Sequence, residues 1–195
     1  MDKGAINVRV LKNSLGISHE IVRKVVCAGD IVVDATVGNG NDTLFLAELV
    51  GDTGHVYGFD IQEVALRNAQ EKLQQADVLK RVSLIKDGHE NMDQYIGQSV
   101  KAVMFNLGYL PGGNHSIHTK ANTTIQAIQK SLDLIVPHGI VMLVIYYGGD
   151  SGFEEKDAVI DFLKTLDYRK YSVLMHHFIN QIHCPPIAAC IEKLK

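Results

Sequence analysis

The chain has 195 residues, of which 46% are apolar and 21% charged, an ordinary globular mixture that argues against intrinsic disorder. Its 19 basic and 22 acidic side chains give a net charge of −3, so any nucleic-acid site must be a local patch. No apolar run approaches the roughly 20 residues that span a bilayer. Residues 1–18 lack the apolar core of a secretory signal, and the three sparse cysteines suit a reduced, cytoplasmic compartment.

Apolar, β-branched runs alternate with helical patterns along the chain. Ser18 is predicted to cap a first helix that runs to Val26. Short apolar runs bounded by turn residues predict five strands, over 30–36, 55–60, 82–86, 101–106 and 139–147. The intervening segments predict helices over 42–50, 62–75, near 90–96, about 120–135 and 154–166, the last with acidic outer positions.

Two further strands are predicted at the end of the chain, over 171–179 and 186–194. Their connection leaves no room for a crossover helix, so this pair must be antiparallel. The whole pattern predicts a doubly wound, Rossmann-like α/β fold with a seven-stranded sheet, covered on both faces, whose last strand is antiparallel. With no linker or internal repeat, we expect a single domain over 1–195 with an N-terminal helical segment at about 1–28.

Four successive strand ends carry polar or glycine residues, and ligands of such sheets bind at these ends. Glycines let the backbone approach a ligand closely, and Asp60 is placed to accept hydrogen bonds from vicinal ribose hydroxyls. Each feature also has a plainer interpretation, as a tight turn or a helix cap. Their joint occurrence favours one nucleoside-type site, formed by 34–43, Asp60, 87–89 and 106–113.

The residue types favour a cationic nucleoside over a dinucleotide or a triphosphate. A dinucleotide-binding fingerprint needs a third glycine where this chain has Thr43, and no Gly-Lys-Ser/Thr loop is present. The carboxylate of Asp34 would repel a pyrophosphate, whereas it suits the ammonium or sulfonium end of S-adenosylmethionine (SAM).

The order of these motifs resembles class I SAM-dependent methyltransferases over essentially the whole chain. DATVGNGNDT, GFDIQ, KDGHENM and NLGYLPGGNHSIHT are similar to segments of the small "putative rRNA methylase" family, which is associated with MnmM-type tRNA wobble-uridine methyltransferases. The class I glycine motif is matched at Gly38 and Gly40 but has Thr36 at its first glycine position. The resemblance implies a SAM site that comprises Asp34, Thr36, Gly38, Asn39, Gly40, Asn41, Asp42, Asp60, Ile61, Gln62, Asp87, Gly88, His89 and Asn106.

The segment from Asn106 to Tyr109 lies where amino-methyltransferases often carry Asn-Pro-Pro-Tyr, although its two prolines are missing here. The Asn106 side chain could accept an N–H from an acceptor amine, and Tyr109 could stack on the base that carries it, so both are candidate catalytic residues. A strand-end cap and a loop anchor are the plainer alternatives. Candidate substrate contacts are Tyr109, Gly112, Gly113 and His115.

Carbon methylation by covalent attack would need a cysteine nucleophile near the fourth or fifth strand. The three cysteines lie instead in the first helix and the terminal hairpin, which favours N-methylation. The histidines do not form a recognised metal-ligand set, and neighbours on a strand such as His176 and His177 point to opposite faces, so we expect no metal. His115 and His118 could contact RNA or relay a proton.

The resemblance implies a tRNA substrate, with methylation of the amine of 5-aminomethyl-(2-thio)uridine at wobble position 34. Methylation of rRNA or of a small-molecule amine, a non-catalytic SAM-binding regulator and an NAD(P)-dependent reductase are the alternatives. The oligomeric state is open, with a homodimer as one candidate.

An anticodon stem-loop would need local positive charge. Five basic residues could supply it, and the alternative is that they only form a solvated face: Lys12, Arg23, Lys24, Lys120 and Lys130.

Overall fold

The computed structural model describes residues 10–108 and 118–195, which contain five α-helices and seven strands. The strands are β1 Ile31–Asp34, β2 His55–Phe59, β3 Val82–Ile85, β4 Val100–Leu107, β5 Ile135–Ile145, β6 Tyr171–His176 and β7 Ile187–Lys193. The helices are α1 Ser14–Val25, α2 Asn41–Val50, α3 Glu63–Gln75, α4 Ala121–Leu134 and α5 Gly149–Lys164, with short 3-10 helices at Leu79–Arg81 and His89–Gln94. No helix in these ranges is long and apolar enough to cross a membrane.

All seven strands form one sheet in the order β3-β2-β1-β4-β5-β7-β6. The strands β1 to β5 pair in parallel, whereas β7 runs antiparallel to both of its neighbours. This confirms the predicted doubly wound α/β fold with an antiparallel last strand. The strand order reverses between β1 and β4, and a crevice opens at the carboxyl ends of the strands at such a point.

Helices cover both faces of the sheet. Alternate residues of β1 point to opposite sides, so Val32 packs in one core cluster and Val33 in the other. The cluster around Val32 includes apolar side chains of α1, α2 and α3, and the cluster around Val33 includes those of α4 and α5. The near-continuous apolar character of the strands follows from this double burial.

Helix α1 begins earlier than predicted, because Asn13 caps it. The Asn13 side chain accepts a hydrogen bond from the backbone N–H of Gly16 at 2.8 Å. Ser18, the predicted cap, is buried inside the helix, and its hydroxyl donates to the carbonyl oxygen of Leu15 at 2.7 Å. The predicted cap was therefore wrong: asparagine caps helices as well as serine does, and it comes first along the chain.

Three other boundaries differ from the prediction by more than two residues. Strand β5 begins at Ile135 rather than 139, because His138 adopts a left-handed conformation (φ 58°) and the register with β4 shifts beside it. Helix α5 begins at Gly149 rather than 154, and β6 ends at His176 rather than 179. None of these differences moves the strand ends that form the predicted site.

Gly40 connects β1 to α2 in a left-handed conformation (φ 74°), and a Cβ there would lie 2.8 Å from the Cα of Ala69 in α3. Gly40→Ala therefore combines backbone strain with a clash, and it should lower the free energy of unfolding by about 2–4 kcal/mol. Urea denaturation measures this. Gly97→Ala is the matched control: nothing lies within 4 Å of its added Cβ, so a loss as large as that at Gly40 would contradict the argument.

Candidate functional site

A buried carboxyl group anchors the glycine-containing loop that follows β1. Asp34 is fully buried, and its two oxygens accept hydrogen bonds from the backbone N–H of Thr36 (3.1 Å) and the hydroxyl of Thr43 (2.6 Å). Burial, with the nearby charge of Asp42, raises the pKa of Asp34 to about 7. Asp34 thus joins the start of the loop to α2, and its proposed contact with a cationic ligand stays a prediction.

The same loop is held to the end of β2 by Asp60. The Asp60 carboxylate accepts hydrogen bonds from the backbone N–H groups of Gly38 (2.9 Å) and Gln62 (2.8 Å). Burial raises the pKa of Asp60 above its usual range. Because a carboxylate has about four acceptor positions, these two bonds leave room for the hydroxyls of a ligand.

His89, which follows β3, has one ring nitrogen without a hydrogen-bond partner. His89 is buried, and its Nδ1 lies 3.1 Å from the carbonyl oxygen of Ala35. A carbonyl oxygen can only accept, so Nδ1 carries the hydrogen. Burial lowers the pKa of His89, which favours the neutral ring and leaves Nε2 as an acceptor. That Nε2 is buried and has no hydrogen-bond partner.

Asp87, at the end of β3, is engaged in hydrogen bonds within its own segment. It accepts from the Asn91 side chain at 2.9 Å, the Tyr95 hydroxyl at 2.8 Å and the backbone N–H of Gly88 at 2.7 Å. The bonds from Asn91 and Tyr95 lower the pKa of Asp87, so this group is ionised at neutral pH. A negative charge therefore lies at this edge of the site.

Asn106, near the end of β4, also presents an unpaired acceptor. Its backbone N–H donates to the Thr36 hydroxyl at 2.7 Å, and its side-chain Nδ2 donates to the carboxylate of Asp42. The other carboxylate oxygen of Asp42 lies 2.6 Å from Nε2 of His19 in α1. The Oδ1 of Asn106 is buried without a partner.

These strand ends surround a cavity of about 320 Å³, within the size range of small-molecule sites. Nine of the predicted site residues line it: Thr36, Gly38, Asp60, Ile61, Gln62, Asp87, Gly88, His89 and Asn106. The remaining lining residues in the described part of the chain are Ala35, Phe59, Glu90, Gly108, His118, Thr119, Lys120 and Thr123.

Other predicted site residues lie beside the cavity or outside the described ranges. Asn39 and Asn41 accept hydrogen bonds from Asn68 and Lys72 of α3, and Gly40 packs on α3 as well. Asp34 and Asp42 are buried among polar partners. The predicted residues outside the described ranges are Tyr109, Gly112, Gly113 and His115.

Sequence reasoning missed a buried glutamate that binds the hydroxyls of Thr119 and Thr124. Glu155 of α5 was expected among the acidic outer positions of its helix, but it is buried and accepts hydrogen bonds from the hydroxyls of Thr119 (2.7 Å) and Thr124 (2.8 Å). Thr119 in turn exchanges hydrogen bonds with Gly108. Glu155 therefore joins α5 to Thr119 and Thr124 and, through Thr119, to Gly108. No local sequence pattern marks it.

The described residues contain no group of three or more histidine, cysteine or carboxylate side chains that could hold a metal ion. His118 lines the cavity. His19 of α1 could not be predicted as a site residue from local sequence, because its partner Asp42 lies 23 positions further along the chain.

The family model described as "Putative rRNA methylase" matches residues 56–192. The chain belongs to this family. It is 38% identical over 192 residues to the chloroplastic tRNA (mnm(5)s(2)U34)-methyltransferase of Arabidopsis thaliana. The alignment covers 93% of this chain and 70% of that protein.

Solved structures of similar chains have the same fold. A "putative rRNA-methylase" of Clostridium thermocellum is 59% identical with a TM-score of 0.94, over 95% of this chain and 100% of that one. A "putative methyltransferase" of Streptococcus mutans in complex with SAH is 41% identical with a TM-score of 0.88, with the same coverage.

The raised pKa of Asp34 predicts a stability change with pH. Because the folded-state pKa of about 7 exceeds the ordinary value of 3.8, the protonated carboxyl stabilises the fold fully below pH 3.8, and this contribution is lost as pH rises through 7. Urea denaturation from pH 4 to 8 should show the protein losing stability relative to Asp34→Asn, by at most on the order of 4 kcal/mol.

The matched control is Asp157→Asn, because the Asp157 side chain is 68% exposed. Its difference from the unmodified protein should stay constant between pH 4 and 8. A constant difference for Asp34→Asn as well would show that Asp34 has an ordinary pKa in the folded protein.

Proposed function

We propose that this protein is a SAM-dependent N-methyltransferase of tRNA. It converts the amine of 5-aminomethyl-(2-thio)uridine at wobble position 34 to the methylamine of 5-methylaminomethyl-(2-thio)uridine. The observation that carries this proposal is the 38% identity, over 93% of the chain, to the Arabidopsis enzyme named for that position. The described cavity supports it with a nucleoside-sized space and unpaired acceptors.

The residues around the cavity fit the cofactor. Asp60 retains acceptor positions for the ribose hydroxyls, and Gly38 allows close approach of the backbone. Ile61, 58% exposed and lining the cavity, offers an apolar surface for the adenine ring. The unpaired Nε2 of His89 would accept a hydrogen bond from a donor group of the ligand. When bound, SAM supplies a methyl group on a sulfonium centre.

Asn106 is proposed to position the acceptor amine. Its Oδ1 is a buried acceptor without a partner, and leaving such a group unpaired costs about 1–3 kcal/mol. An N–H of the amine would satisfy it and aim the nitrogen lone pair at the methyl carbon. The amine would react in its neutral form, because only an unprotonated nitrogen has the lone pair that can accept a methyl group.

The anticodon stem-loop is the proposed binding partner, and Lys120 is the cation best placed for it. Lys120 is exposed and lines the cavity. By contrast, Lys12 and Lys130 lie 2.6 Å from the carboxylates of Glu20 and Asp93, so part of their charge is neutralised. A base in a loop is already unstacked, which lets a compact enzyme reach it.

The compartment, the domain organisation and the oligomeric state also remain proposals. We propose the cytoplasm, because all three cysteines of the chain are free thiols. The Arabidopsis relative is named as chloroplastic, so cell fractionation with immunodetection is the appropriate test. A single domain over 1–195 predicts one cooperative unfolding transition, and sedimentation would distinguish a monomer from a homodimer.

Asp60→Ala should weaken binding of SAH, because it removes the proposed ribose acceptor. Loss of a hydrogen bond to a charged group costs about 1.5–3 kcal/mol, or roughly 10–150-fold in affinity. Isothermal titration calorimetry measures the change. Asp161→Ala, at a side chain that is 74% exposed, is the matched control and should bind SAH normally. Equal affinity in the two variants would remove Asp60 from the cofactor site.

Methyl transfer to a defined RNA tests the reaction itself. Purified protein and methyl-labelled SAM are incubated with tRNA from cells that lack the final methyl group, and nucleosides are separated by mass spectrometry. We expect label in 5-methylaminomethyl-(2-thio)uridine and equal rates with and without EDTA.

Ribosomal RNA and a free small-molecule amine are included as parallel acceptors. Labelling of either, with the tRNA unlabelled, would contradict the proposed substrate. Binding of SAH without transfer to any acceptor would favour a SAM-binding regulator. Loss of transfer in EDTA, with recovery on adding a divalent metal, would contradict the expected metal-free reaction.

A further inference from the structure

Helix α1 reaches the proposed acceptor site through two side chains. Nε2 of His19 lies 2.6 Å from Oδ1 of Asp42, and Oδ2 of Asp42 accepts a hydrogen bond from Nδ2 of Asn106. The three residues come from α1, α2 and β4. Asp42 therefore joins a residue near the start of the chain to the side chain whose carbonyl oxygen is unpaired.

This connection determines which way the Asn106 amide faces. A carboxylate can only accept hydrogen bonds, so Asn106 must turn its NH₂ group, and not its oxygen, toward Asp42. The amide oxygen then lies on the opposite side, buried and without a partner in a residue that lines the cavity. The orientation of Oδ1 thus depends on the position of the Asp42 carboxylate.

His19 in turn keeps Asp42 in place. The Asp42 side chain is only 7% exposed, and a carboxylate so far removed from water needs more than one donor. The His19 ring stacks on Phe45 of α2, with ring centres 4.0 Å apart and planes at 11°. The guanidinium of Arg23 also lies 4.6 Å from the centre of the Phe45 ring. Packing between α1 and α2 therefore holds the His19 ring in position.

We propose that His19 and Asp42 are positioning residues that aim the Asn106 carbonyl oxygen at the acceptor amine. The inference rests on the proposed N-methyltransferase function. It assigns Asp42 to the acceptor side of the reaction, whereas the family resemblance implies a cofactor contact. It also makes α1 part of the catalytic apparatus. Neither residue touches the amine, and both act through Asn106.

The kinetic test compares His19→Leu, which keeps an apolar side chain against Phe45 but removes the donor, with His19→Gln, which keeps an N–H at similar reach. Misplacing a positioning group can cost up to about 100-fold in rate, so His19→Leu should lower kcat for tRNA methylation at least about tenfold. His19→Gln should stay within about threefold of the unmodified protein, because an N–H donor to Asp42 is retained. The affinity for SAH, measured by calorimetry, should remain within about twofold in both variants.

A second test, by NMR, measures hydrogen exchange of the Asn106 side-chain amide and needs no substrate. The side-chain amide signal of Asn106 in ¹⁵N-asparagine-labelled protein is assigned by its loss in Asn106→Ala. We expect its protons to exchange with solvent at least about fivefold faster in His19→Leu, and at the original rate in His19→Gln. Asp42→Ala should show the same acceleration, since it removes the acceptor of that NH₂ group.

The outcomes separate the two proposals. If the unmodified protein methylates no tRNA, the proposed function fails, and the exchange rates alone decide whether His19 positions Asn106. Unchanged exchange in His19→Leu would overturn the inference. A loss of SAH affinity as large as the loss in kcat would also overturn it, because Asp42 would then belong to the cofactor site. If His19→Leu does not give the spectrum of a folded protein, the amide exchange rates of His19→Gln and Asp42→Ala test the inference instead.

Discussion

The site depends on one buried interaction, between the carboxyl of Asp34 and the loop that follows it. By accepting hydrogen bonds from Thr36 and Thr43, Asp34 holds the loop against the end of β1. The loop then links to its neighbours, since Gly38 donates to Asp60 after β2 and the Thr36 hydroxyl accepts from the backbone of β4. One carboxyl group therefore sets the relative position of three strand ends. Its pKa of about 7 reflects the burial that this role requires.

Two features of the cavity are typical of a site built for a ligand rather than for stability. Nε2 of His89 and Oδ1 of Asn106 are buried acceptors without partners, although most buried polar atoms in proteins are paired. Both belong to residues that line the same cavity. A nucleoside cofactor and an amine substrate can supply the missing donors. A chain that is 41% identical to this one was solved in complex with SAH.

Helices α1 and α5 contribute to the site from outside the four strand ends. His19 of α1 pairs with Asp42, and Glu155 of α5 accepts a hydrogen bond from Thr119, which in turn binds Gly108 after β4. The two helices lie on opposite faces of the sheet, as their core clusters show. Both layers therefore support the residues that face the cavity.

Most elements and nine lining residues could be predicted from the sequence, because their signals are local. Apolar runs define the strands, and polar residues directly after them mark the ends that meet at one edge of the sheet. The start of α1 was predicted wrongly because Asn13 and Ser18 are both good caps, and the choice depends on which side chain becomes buried. The extension of β5 depends on a left-handed His138, a conformation uncommon for residues other than glycine.

The sequence by itself determined the fold class, the antiparallel last strand and the strand ends that hold Asp60 and Asn106. Only the tertiary structure decided which side chains stand beside them. His19 and Asp42 are 23 residues apart, and Asp42 and Asn106 are 64 apart. Such contacts arise when helices pack on a sheet, and the periodicity within one helix tells which face is buried but not which residue it will meet. Glu155 shows this most clearly. It is an acidic residue, yet it is buried because Thr119 and Thr124, which lie outside its own helix, donate hydrogen bonds to it.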